Sequence, residues 1–105
     1  MAKKIKNLVI LAKRWNDRMY GNTYHSVKVY VNMKLVGSVG FKYGYERAFM
    51  TTVLEILQSN NYWPDSGKYL PSGFPKDEYD FDMWLRKNND KVIIDVTDVS
   101  RRKDL

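Results

Sequence analysis

The chain contains no cysteine and only one histidine, His25. Without thiols there is no disulfide framework and no thiolate metal site, and a reducing compartment suits the composition best. Zinc takes three or four His, Cys or carboxylate ligands, so one histidine argues against a zinc centre. Nucleophilic catalysis is equally short of parts. A Ser–His–Asp set would need His25 paired with a distant serine and aspartate, and no nucleophile-elbow motif is present. Long apolar runs are also missing. Residues 8–12 are followed directly by Lys13 and Arg14, well short of the roughly 18 apolar residues of a membrane span. That run is also shorter than the roughly 7–15 residues of a signal-peptide core. The opening "MAKKIKNLVILAKRW" is therefore read as a strand of an intracellular protein. No glycine-rich phosphate loop occurs, since "FKYGYE" has one glycine and no following lysine.

What is present describes a folded basic protein. The 105 residues suit a single domain spanning 1–105, with 44% hydrophobic and 29% charged residues. The formal net charge is +6, and surplus positive charge favours nucleic acid or the acidic face of another protein. The charge is unevenly spread. Lys3, Lys4, Lys6, Lys13, Arg14 and Arg18 crowd the first strand and its turn, and Arg101, Arg102 and Lys103 form a basic tail at 100–105. The acids Asp77, Glu78, Asp80 and Asp82 lie together.

Periodicity predicts the elements. Residues 6–15 read as a strand with Leu8, Ile10 and Ala12 on one side and Val9, Leu11, Lys13 and Trp15 on the other. Residues 24–32 alternate most cleanly, with His25, Val27, Val29 and Val31 on one face and Ser26, Lys28, Tyr30 and Asn32 on the other. One dry face and one wet face is the mark of a half-covered antiparallel sheet. Asn32-Met33 makes a tight turn into a third strand over 34–42, with Leu35, Val39 and Phe41 on one side. Gly37 and Gly40 mark a bulge or a close backbone approach. From Tyr45 the period becomes 3.6, and Phe49, Val53, Ile56 and Leu57 form a helix stripe widened by Met50 and Leu54. A Pro/Gly/aromatic loop at 62–75 is too aromatic for a free linker and is expected to pack over something. A second helix over 76–89 carries Phe81, Trp84 and Leu85, and a last strand covers 91–99. The order β-β-β-α-α-β predicts an α+β fold: a three-stranded antiparallel meander, helices on one face, and a C-terminal strand at an edge or beside the first.

Two candidate chemistries weaken on the pattern. His25 is in phase with valines, which makes it a packing or boundary residue. Asp77, Asp80 and Asp82 in "DEYDFD" invite a Mg²⁺ reading, but on a helix Asp77 and Asp80 are neighbours while Asp82 points elsewhere. Acids in a first turn also serve the helix dipole without any metal. The expectation is a non-enzymatic protein with no metal and no cofactor. Recognition has more support. Lys13, Trp15, Lys28, Tyr30 and Lys42 are expected to share one basic, aromatic sheet surface, joined by Arg14, Arg18, Tyr20, Tyr24 and the tail residues Arg101, Arg102 and Lys103. Aromatic rings stack on bases and cations neutralise phosphates. A rival contact surface is the loop, with Tyr62, Trp63, Tyr69 and Phe74 as anchors for a protein partner. The exposed edge of the meander offers pairing to a second copy. No membrane contact is expected.

The motifs "GNTYHSVKVYVN", "FKYGYE" and the closing "RRKDL" together resemble a group of small uncharacterised proteins of tailed bacteriophages. The match runs from Trp15 to about Leu57 and resumes at the last residues. It fails over 63–82, and Met33 stands where that group would have glycine. The resemblance implies a phage accessory protein made in the host bacterial cytoplasm, and it brings no catalytic residues. Two functional expectations follow. One is binding of nucleic acid or a nucleoprotein. The other is inhibition of a host or bacterial defence protein by direct contact, in the manner of an anti-CRISPR. The βββα order also resembles the DNA-binding domains of phage integrase arms and plant AP2 factors, in topology alone.

Overall fold

The computed structural model describes residues 3–44 and 48–105. The described residues form β1 (Leu8–Asp17), β2 (Asn22–Val31), β3 (Lys34–Tyr43), α1 (Ala48–Ser59), α2 (Lys76–Lys87) and β4 (Val92–Val99). Short 3-10 turns occupy Asn89–Lys91 and Arg102–Asp104. The start of the first helix at Tyr45 lies outside the described residues. The sheet order is β3-β2-β1-β4, and the fold is α+β. β1 to β3 form the antiparallel meander, and β4 pairs with β1 in parallel. A parallel neighbour needs a long crossover. α1 and α2 supply it, carrying the chain from the β3 edge to the opposite edge.

The alternation in β1 and β2 sets the layers. Leu8, Ile10 and Ala12 pair with Val31, Val29 and Val27, and all six are buried against the helices. Phe49, Val53, Leu54 and Leu57 of α1 and Phe81 and Leu85 of α2 close the core. Each such side chain contributes about 1.5–3 kcal/mol by leaving water. No helix among the described residues is long and apolar enough to cross a membrane.

Turn chemistry fixes the register. Asn32 and Met33 both adopt positive φ, 53° and 69°, as a two-residue type I′ hairpin loop requires. Asn32 suits this site. Its Oδ1 accepts from the Lys6 and Asn7 amides at 2.7 and 3.2 Å, and its Nδ2 donates to the Lys4 carbonyl at 3.2 Å. The side chain thereby ties the segment before β1 to the hairpin tip. Met33 is 87% exposed and makes no such use of its conformation. Replacing Met33 by glycine should stabilise the fold by about 1 kcal/mol, seen as a melting temperature roughly 4–8 °C higher.

β3 departs from the expected alternation. Its pairing with β2 shifts register between Val29 and Tyr30 and again between His25 and Val27. Each bulge adds a residue and flips the side-chain parity beyond it. Val39 therefore packs on the core as expected, but Leu35 and Phe41 turn to the opposite face, 50% and 44% exposed. The two glycines also separate. A Cβ on Gly37 would lie 2.6 Å from Ile56 Cγ2, whereas one on Gly40 would meet nothing within 4 Å. Gly37→Ala should cost about 1–3 kcal/mol by pushing α1 off the sheet. Gly40→Ala should be near neutral, and paired urea titrations compare the two.

β3 and β4 are the sheet edges. β4 covers the β1 side of the meander, and the free β3 edge is broken by both bulges, a device that hinders edge-to-edge pairing.

Candidate functional site

Helices cover one face of the sheet, and the other is read in cross-strand rows. At the turn end stand Tyr43, Tyr24, Trp15 and Val99, directly paired across β3, β2, β1 and β4. The next row holds Ser26, Lys13 and Thr97, with Phe41 opposite Ser26 at the bulge. Below it lie Ser38, Lys28, Leu11 and Asp95, and then Leu35, Tyr30, Val9 and Ile93. One end of the face is thus aromatic, the middle carries two lysines and Asp95, and the far end is apolar.

The aromatic end is an ordered array. Trp15 stacks on Tyr24 at 5.7 Å between ring centroids, and Tyr24 stacks on Phe41 at 4.6 Å. Tyr43 meets Tyr24 edge-on at 5.6 Å. The tail folds back toward this array. The Arg102 guanidinium lies 4.4 Å from the Phe41 ring centroid, a cation–π contact. Leu105 reaches a shallow depression of about 300 Å³ lined by Leu11, Lys13, Lys28 and Thr97. Arg101 is held by Asp104 at 3.1 Å, and Lys103 is exposed.

Lys13, Trp15, Tyr24, Lys28, Tyr30 and Arg102 therefore come together on one face. Of the other expected members, Lys42 and Arg14 turn to the helix side. Lys42 pairs in register with His25, whose face is turned to the helices, and its Nζ donates to Glu55 of α1 at 2.7 Å. The second bulge is the cause. Arg14 continues the phase of Leu8, Ile10 and Ala12, so it too points to the helix side. There its Nε and Nη2 donate to the two Asp98 oxygens at 2.9 and 3.3 Å. Arg18 and the 73%-exposed Tyr20 lie in the β1–β2 turn, where Gly21 takes φ 71°. Phe41 is a member that the alternation concealed, because only the bulge brings it to this face.

The loop at 62–75 packs as expected, but its four aromatics divide. Trp63 meets Phe81 and Trp84 edge-on at 5.2 and 6.1 Å, and Tyr62 lies under Lys3 Nζ at 4.9 Å. Tyr69 and Phe74 remain exposed. Tyr62 and Trp63 are thus partly buried in internal contacts, while the other two face outward.

The acidic run is a set of local contacts. Asp77 accepts from the Ser66 amide and hydroxyl at 2.8 and 2.9 Å and so pins the loop to α2. Asp80 accepts from Lys76 and Asp82 from Arg86, each one helical turn away. Among the described residues no group of three or more His, Cys, Asp or Glu is placed to hold a metal ion.

His25 is buried, and its Nε2 lies 2.8 Å from the Thr52 hydroxyl of α1 in a hydrogen bond. Burial lowers its pKa from 6.5, Lys42 lowers it further, and Glu55 opposes both. It is a neutral core histidine that joins sheet to helix. Comparison of the chain with protein-family models, curated proteins and solved structures gives no match.

Proposed function

We propose that the chain is a non-enzymatic protein that binds nucleic acid or a nucleoprotein through the open sheet face. The observation that carries this reading is the shared face itself: Lys13 and Lys28 beside the stacked Trp15–Tyr24–Phe41 array, with Arg102 on Phe41. Tyr24 has Trp15 and Phe41 from the strands on either side, so it spaces the array. A base adds at Trp15, or at Phe41 in exchange for Arg102, and each stacked base contributes about 1–3 kcal/mol. Lys13 and Lys28 sit in adjacent rows on neighbouring strands, where a phosphate backbone running along the sheet meets both. A role as a phage accessory protein in the host bacterial cytoplasm fits this reading and rests on the motif resemblance.

Fluorescence anisotropy with a labelled single-stranded oligonucleotide tests it. Affinity should fall with salt at a log–log slope of roughly −0.7 per phosphate neutralised, and Lys13→Ala and Lys28→Ala should each remove about 0.7 from that slope. Absence of binding at low salt would refute the reading.

A further inference from the structure

The helix layer carries a second surface, opposite in character to the sheet face. α1 and α2 flank a groove of about 630 Å³, and residues of the turn at 70–74 complete its lining. Met50, Leu54, Leu70, Phe74, Phe81 and Leu85 line it. Leu54, Phe81 and Leu85 belong to the core, so the groove floor is the core itself, while Phe74 and Tyr79 stand 48% and 45% exposed at its walls. The charged side chains of the lining are Glu78 and Asp82, and no lysine or arginine lines it among the described residues. Asp82 is shared with Arg86 on the next turn. An adjoining depression shares Thr51, Leu54 and Glu78 and adds Asp65, Asp77 and Lys68, together with Glu55, which is already paired with Lys42.

That chemistry selects an occupant. A carboxylate rim repels phosphate, so nucleic acid and anionic lipid are disfavoured on this face, and a cationic partner is favoured. An apolar floor that reaches the core asks for inserted apolar side chains. Along α2 the lining runs from Glu78 to Leu85, about 10 Å at roughly 1.5 Å per residue. That is the span between the first and last anchors of an i, i+4, i+7 helix, the mode in which amphipathic helices lie in grooves.

We propose that this groove receives about two turns of a basic amphipathic helix from a protein partner. Its apolar anchors sit over Leu54, Phe81 and Leu85, and its lysines or arginines face Glu78 and Asp82. The protein is then two-sided: polyanion on the sheet, cationic protein segment on the helices. The surfaces are separate, so either assignment stands or falls without the other.

The test uses the full chain and two synthetic helical peptides of equal length. Both carry leucines at i, i+4 and i+7, one with lysines and the other with glutamates at the remaining positions. Amide chemical shifts are followed during titration. The lysine peptide should bind saturably, at least about tenfold more tightly than the glutamate peptide, with shifts confined to α1, α2 and residues 70–74. Glu78→Lys with Asp82→Lys should invert the preference, and Phe74→Ala should weaken binding about fivefold without moving it. Circular dichroism checks that each variant is folded. Equal binding of both peptides, no saturation, shifts on the sheet face, or an unchanged preference in the charge-reversed variant would overturn the proposal. So would groove shifts that depend on protein concentration alone, since a second copy would then be the occupant.

Discussion

Reversing Lys13 and Lys28 together to glutamate should weaken oligonucleotide binding by about 100-fold at roughly 0.1 M salt. Each reversal removes one phosphate contact and places a like charge near the backbone, about 1.4 kcal/mol or a factor of ten apiece. The two sites are diagonal neighbours on β1 and β2, so one strand of nucleic acid senses both. Lys28 is exposed, and Lys13 is exposed on the same face, so neither change disturbs the core. Arg14→Glu and Lys42→Glu are the matched controls. They alter net charge equally, but both side chains lie on the helix side, bound to Asp98 and Glu55. If charge alone drives binding, all four sites will matter alike. If the face does, the controls will lose far less. Anisotropy titrations at fixed salt separate the outcomes.

His25→Ala should leave that binding intact and cost about 2–4 kcal/mol in stability, measured by urea denaturation. The variant opens a cavity beneath α1 and removes the partner of the Thr52 hydroxyl, which is itself buried. The wild-type chain should also show a pH signature. Its folded-state pKa is depressed below 6.5, mainly by burial. Above that value both folded and unfolded states hold a neutral ring, and the contribution is fully present. As pH falls below it, the unfolded chain takes up a proton first and stability declines, levelling once the folded state also protonates. His25 is the single histidine in the sequence, so the decline in this window should vanish in the alanine variant.

Much of the fold was legible because β1 and β2 pair without interruption over ten residues each. Their alternation therefore maps directly onto two faces, and His25 could be placed among the valines from spacing alone. α1 was legible for the same reason, since one stripe faces one sheet. β3 was not. A bulge leaves no mark in a hydrophobic pattern except the glycines that permit it, and two of them sent Leu35, Phe41 and Lys42 to faces that strict alternation would not assign. Arg14 illustrates a different limit. Its phase with Leu8, Ile10 and Ala12 was readable, but its partner Asp98 depends on the parallel register of β4 with β1, and a strand's spatial neighbour is not written in its own spacing. The groove between α1 and α2 was hidden too, because it depends on where the 70–74 turn lands relative to both helices.

The claim that the open face is the nucleic-acid surface is tested most directly by mapping backbone amide shifts as an unlabelled single-stranded oligonucleotide is added to the labelled chain at low salt. The account predicts saturable shifts centred on Lys13, Trp15, Tyr24, Lys28 and Phe41, with α1 and α2 silent. Shifts centred on the helices, or no shifts at all, would contradict it.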